Sequence, residues 1–189
     1  MVRGMAQPRF AQFATPIGTC AIAWAEGGIL AVQLPGKNET SAMARLHRRF
    51  PDGAPAGPPG EIAAVIERIT AFLGGTGDGF ADLPLDFGQV SAFEAAVYRE
   101  ARAIPAGATA TYGAIAARLG DANQARAVGQ ALGRNPWPIV VPCHRVTGAE
   151  GKMGGFSAPG GRATKLRLLE IEGALAPETL PLFGPSGAR

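Results

Sequence analysis

Asn135-Pro136-Trp137-Pro138-Ile139-Val140-Val141-Pro142-Cys143-His144-Arg145-Val146 is the stretch on which the reading of this chain turns. It opens as a proline-punctuated turn, continues as a short apolar run that predicts a buried strand, and ends on a cysteine with a histidine beside it. A cysteine delivered by a rigid element and flanked by a base suits nucleophilic work. Free cysteine more often packs as a small hydrophobe, so its neighbours have to decide between the two readings. After Cys143 the apolar run stops and His144 and Arg145 follow, which puts the thiol at a polar boundary where nearby cations favour the thiolate.

The rest of the chain bounds what that cysteine can serve. With 189 residues, 47% hydrophobic and 17% charged, the composition is that of a soluble globular protein with a genuine core. Residues 89–175 carry ten Lys/Arg against six Asp/Glu, whereas residues 1–88 carry seven against eight. The positive excess therefore lies with the cysteine motif, which suits a polyanionic partner, although a small excess is also ordinary solvated surface. Cys20 and Cys143 are too far apart in sequence to suggest a disulfide framework or a C-x-x-C metal pair, and a reducing, cytoplasmic setting follows. There is no apolar run of signal-peptide or membrane-spanning length, so no membrane association is expected.

Three short β-like runs, Phe10–Thr15, Thr19–Ala25 and Ile29–Leu34, are separated by turn residues and predict an antiparallel meander. Glu39–Phe50 predicts an amphipathic helix with Met43, Leu46 and Phe50 inward and His47 at the surface or core edge. Residues 51–60 read as a Pro/Gly/Ala loop. Ile62, Val65, Ile66, Ile69 and Phe72 have the helical period within Glu61–Leu73, and Gly74 ends that helix. Leu83–Phe87 is placed as a returning strand.

From Ser91 onward the pattern turns helical. Ser91 and Glu94 form a capping box, with Phe93, Ala96, Val97 and Ala101 as the apolar face. Thr111 caps Tyr112–Leu119, Gly120 stops it, and Asn123 caps a further helix reaching Gly133, a helix-turn-helix pattern. The second helix of that pair is nearly bare: Ala125, Ala127, Val128, Gly129 and Ala131 leave only Gln124, Arg126, Gln130 and Arg134 with long side chains. Such a helix is either packed on two sides or able to approach a partner closely. Gly161–Gly173 predicts a last helix with Ala163, Leu166 and Leu169 inward. The expected architecture is α+β: residues 1–88 form a small antiparallel sheet with helices, residues 89–175 a mostly helical domain holding the helix-turn-helix and the cysteine, and residues 176–189 a loosely held tail.

The motif Pro142-Cys143-His144-Arg145-Val146, with Asn135 upstream and Gly154-Gly155-Phe156-Ser157 and Glu172-Gly173 downstream, resembles the signature of the O6-alkylguanine-DNA alkyltransferases, also called methylated-DNA–protein-cysteine methyltransferases. The likeness covers most of Phe87 to Gly173 and is looser before it. It implies a single-turnover transfer of an alkyl group from O6-alkylguanine, and from O4-alkylthymine, in double-stranded DNA to the protein's own cysteine. It implies no cofactor and no metal.

Residue by residue, the resemblance makes Cys143 the nucleophile, His144 a base acting through water, and Glu172 the group orienting the imidazole. By position alone, Glu172 would instead be an exposed carboxylate at an unfavourable helix end. Asn135 buttresses the active-site turn, and Tyr112 helps rotate the nucleotide and donates a proton to the departing guanine. Val146, Phe156, Ser157 and Lys165 belong to the base pocket, although Lys165 alone reads as surface. Gln124, Arg126, Ala125, Ala127, Gly129 and Arg134 would face the minor groove, with Arg126 filling the space of the flipped base. The protein is expected to be a monomer able to assemble cooperatively on DNA. Where many family members run from the serine directly into Gly-Gly, this chain inserts Ala158-Pro159. Cys143 argues against the DNA-binding relatives that lack the cysteine. The missing cysteine cluster argues against a regulatory relative with a metal-bound acceptor domain. A plain helix-turn-helix regulator with a structural cysteine is the remaining rival from another class.

Overall fold

Alternation of inward and outward side chains along the first strands decides how the N-terminal half is layered. The computed structural model describes residues 7–77, 79–149 and 156–174. Strands β1 (Arg9–Thr15), β2 (Gly18–Ala25) and β3 (Gly28–Gln33) form the expected antiparallel meander, with Thr15 paired to Gly18 and Ala25 to Gly28 across the turns. Gly28 sits at φ +121°, and a Cβ there would come within 2.7 Å of the Pro84 carbonyl oxygen, so this turn requires glycine.

Cys20, Ile22 and Trp24 of β2 point into the main core. Ala21 and Ala23 point the other way, onto a smaller cluster with Phe10, Leu30, Ala42 and Leu46. Helix α1 (Ser41–Arg49) covers that second face. His47 stays exposed with its ring edge-on to Phe10 at 5.1 Å. The loop expected over residues 51–60 contains strand β4 (Ala54–Pro55), parallel to β1, so the sheet order is β3-β2-β1-β4. The unpaired backbone of the β1 edge explains it: the Ala54 amide donates to Pro8 O and the Ala56 amide to Phe10 O.

Helix α2 (Gly60–Leu73) packs on the main core through Ile62, Val65, Ile69 and Phe72, and Gly74 occupies its C-cap. The strand expected at Leu83–Phe87 shrinks to a single bridge between Leu85 and Ile29. Asp86 then bends the chain away by accepting the Gly88 amide at 2.8 Å.

Helix α3 (Ala92–Arg102) carries the full Ser91–Glu94 capping box. Its buried face is Ala95, Val97, Tyr98 and Ala101, while Phe93 and Ala96 are half-buried. Strand β5 (Ala110–Thr111) leads into helix α4 (Tyr112–Arg118), capped by Thr111 through the Ala114 amide. Asn123 does not cap the next helix, whose N-cap is Gln124 with no side-chain bond; the side-chain cap is Asp121, one 3-10 turn earlier. Its carboxylate accepts the Asn123 amide and starts a 3-10 turn that feeds helix α5 (Ala125–Gly133), and a negative charge suits that end of the helix.

The apolar run before Cys143 is not a strand. Val141 N donates to Trp137 O at 2.7 Å, so residues 137–141 close a tight turn, and Cys143–Arg145 is one turn of 3-10 helix. Strand β6 (Val146–Thr147) follows and pairs in parallel with β5. An apolar run of this length has no periodicity that tells a strand from a buried turn, and the flanking prolines cannot donate to a ladder. Helix α6 (Arg162–Ile171) turns Lys165, Leu168 and Leu169 inward; Leu166 is half-buried and Ala163 exposed, which corrects the expected face.

The main core is continuous, from Ile22 and Val65 through Tyr98 and Trp137 to Leu168. Two bonds tie the meander to the cysteine turn: the Trp137 indole N–H donates to Ile29 O at 2.8 Å, and Val32 N donates to Pro136 O at 2.9 Å. The expected tail at 176–189 lies outside the described residues.

Candidate active site

Asn135 builds the turn that presents the cysteine. Its side-chain oxygen accepts the Trp137 amide at 2.9 Å, and its Nδ2 donates both to Val141 O at 2.9 Å and to Cys143 Sγ at 3.3 Å. Between these anchors Ile139 is forced to φ 77°, a left-handed conformation that costs a β-branched residue about 1–3 kcal/mol. It is held there by nearly complete burial in the core.

Cys143 is itself buried, and burial pushes its thiol above the usual range. The Asn135 bond and the positive charge of Lys165 act against that rise without cancelling it. The resting group is therefore a thiol, contrary to the sequence expectation that surrounding cations would favour the thiolate, because desolvation outweighs them.

His144 follows on the same 3-10 turn. Its Nε2 lies 2.7 Å from Glu172 Oε1, and both side chains are almost wholly inaccessible. With Nε2 donating to a carboxylate, the lone pair is on Nδ1, a buried atom that has no protein partner among the described residues. Burial pulls the imidazole below its ordinary value despite the opposing effect of Glu172, so it is neutral at neutral pH. For Glu172, burial acts upward, but hydrogen bonds from His144 and Arg145 outweigh it and hold the carboxyl below the usual range.

Arg145 was not singled out from sequence, although it lies inside the motif. Its Nε and Nη2 donate to Glu172 at 2.7–3.0 Å, and its Nη1 donates to Ile104 O. The buried carboxylate thus has two partners, which compensates its removal from water. Lys165, which reads as surface from sequence, is fully buried and donates to Val146 O at 2.6 Å. Burial lowers its pKa and Cys143 opposes that.

A cavity of about 580 Å³ opens beside the thiol. Asn135, Cys143, Phe156, Ser157 and Arg134 line it, together with Ala158 and Pro159 of the insertion. His144, Glu172, Val146, Lys165 and Tyr112 do not line it. Val146 belongs to the core. Tyr112 is half-buried with its ring 3.7 Å from where a Gly129 Cβ would stand, and burial and Cys143 both raise its phenol. On α5, Val128, Ala131 and Leu132 face inward, Gln124, Arg126 and Gln130 are exposed, and Ala125, Ala127 and Gly129 are half-buried. Arg134 is paired with Glu94 at 2.8 Å.

This arrangement has known relatives. The chain is 38% identical over 169 residues to the methylated-DNA–protein-cysteine methyltransferase of Mycobacterium bovis, covering 89% of this chain and 94% of that one. This chain belongs to the methylated-DNA–protein-cysteine methyltransferase family. The family model for the DNA-binding domain of 6-O-methylguanine DNA methyltransferase matches residues 92–174. The crystal structure of the Mycobacterium tuberculosis O6-methylguanine methyltransferase superposes with a TM-score of 0.71 at 34% identity, covering 92% of this chain and 96% of the other. The enzyme of that organism in complex with DNA gives a TM-score of 0.68 at 32% identity, covering 87% and 92%.

Proposed function

We propose that this chain repairs DNA by direct reversal, moving an alkyl group from O6 of guanine, and from O4 of thymine, onto Cys143. The observation that carries this reading is the geometry around the thiol: Cys143 Sγ accepts from Asn135 at a cavity wall, and the next residue is a neutral, carboxylate-held imidazole. His144 takes the thiol proton through a water, and Glu172 stabilises the resulting imidazolium. Sulfur attacks the alkyl carbon, the S–C bond forms as the C–O6 bond breaks, and the leaving electron pair returns to guanine, which gains a proton from Tyr112; the proton taken up by His144 then restores the Tyr112 phenol, so that the thiol proton in sum ends on guanine. The thioether has no hydrolytic exit, so each molecule reacts once.

A saturated carbon on a stacked base is out of in-line reach of a thiol, so the nucleotide must be extruded. Helix α5 is the element suited to the minor groove, because its small residues permit close approach while the exposed Arg126 fills the vacated stack. We place the protein in the cytoplasm as a monomer that assembles cooperatively on DNA, and we treat residues 1–88 and 89–175 as two domains that share one continuous core.

Duplex carrying a labelled O6-methyl group tests the reading. One label per protein on the peptide containing Cys143 is expected. Label on Cys20, or release of more than one equivalent of repaired DNA, would overturn it.

A further inference from the structure

The cavity beside Cys143 is larger than methyl transfer requires. At about 580 Å³ it falls in the range of sites that enclose a drug-sized ligand, ~300–1,000 Å³, so a purine bearing one methyl leaves much of it unfilled. Part of its lining comes from the N-terminal half, outside the matched DNA-binding domain: Gln33, Leu34, Arg45, Arg49 and Gln89.

The charge of that lining is uneven. Arg134 and Glu94 neutralise each other across 2.8 Å. Arg45 and Arg49, one turn apart on α1, are bonded only to neutral acceptors. Arg45 donates from Nε to Gln33 Oε1 at 2.7 Å and from Nη2 to Leu34 O, and Arg49 donates from Nη2 to Gln89 Oε1 at 2.9 Å. Neither is paired with a carboxylate among the described residues. Two oriented guanidiniums with uncompensated charge share a cavity with the nucleophile. Held by neutral side chains and backbone, they keep their charge for a ligand and need little reorganisation to meet a planar anion.

Resting on the repair reading above, we infer that Arg45 and Arg49 select the alkyl group: the cavity takes O6-substituents that end in a carboxylate in preference to neutral ones of the same shape. The transfer step is unchanged. Cys143 Sγ bonds to the carbon attached to O6, the C–O6 bond breaks, and the thiol proton balances the guanine anion, while the distal carboxylate sits against the two arginines.

The test uses the full chain and duplexes carrying O6-(3-carboxypropyl)guanine or O6-(3-carbamoylpropyl)guanine, whose charge difference lies far from the reacting carbon. The ratio of the two alkylation rates of Cys143 is compared between the wild-type protein and R45Q/R49Q. A fall in that ratio of about five-fold or more is expected on removing both charges, and Arg49→Glu should push it lower still. An unchanged ratio overturns the inference. So does an equal slowing of both substrates, which would assign the arginines to DNA phosphates. If O6-methylguanine also fails to alkylate Cys143, the repair reading falls and this inference with it.

Discussion

Glu172 is shared by a neutral imidazole and a guanidinium, all three enclosed by protein. Glu172→Gln leaves the Arg145 charge buried without its counter-ion, so a loss of about 3–5 kcal/mol in urea unfolding is expected. The same trio sets an acid sensitivity. Burial holds His144 below its ordinary value of 6.5, so in the unfolded chain it takes up a proton that the folded state refuses. The unfolded state then binds more protons, and stability falls as pH drops below about 6.5. Glu172, held below its ordinary 4.5, adds a second loss in the same direction at lower pH. Urea midpoints recorded from neutral pH downward should therefore decline, and His144→Gln should flatten the upper part of the curve. An unaltered slope in that variant would assign the effect to another group. Cys143→Ser should keep binding alkylated duplex while forming no adduct by mass spectrometry.

Helix α5 and the insertion before α6 act as elements. Arg126→Ala should slow repair of duplex about ten-fold more than it slows reaction with free O6-benzylguanine, since only the duplex requires extrusion, which costs a few kcal/mol. Equal slowing of both would remove Arg126 from that role. Binding should weaken with salt at about −0.9 per phosphate contacted. The insertion is a defined turn: Gly161 N donates to Ala158 O at 3.0 Å, and Thr164 Oγ1 donates to Pro159 O at 2.6 Å. Because Ala158 and Pro159 line the cavity, their deletion should change the ratio of benzyl to methyl transfer more than it changes DNA affinity. A constant ratio with intact binding would make the turn a surface detour.

For the molecule as a whole, Trp137 is the joint. Its indole donates to the meander at Ile29, and its ring meets Phe87 and Tyr98 edge-on at 5.3 and 5.7 Å. Trp137→Ala should cost about 3–5 kcal/mol. Because the core runs through both halves, the native protein should unfold in one calorimetric transition. Two resolved transitions would show that the halves are energetically separate.

Local chemistry made much of this legible. The sequence alone determined the meander, the helical stripe of α2, the Ser91–Glu94 box, the Thr111 cap and the Cys143-His144 pair, because each depends on residues a few positions apart. Only the tertiary structure decided the rest. Residues 137–141 read as a strand but fold as a turn, because Asn135 satisfies their backbone and the core accepts a strained Ile139. Lys165 reads as surface until its partner, the Val146 carbonyl, is brought to it, and Glu172 reads as solvent-facing until Arg145 and His144 enclose it. Arg45 and Arg49 look like the outer face of an amphipathic helix and share a cavity with Cys143 only once the two halves meet. Periodicity reports which way a side chain turns. A buried charge exists only where distant segments replace its water, and no local pattern records which segments those are.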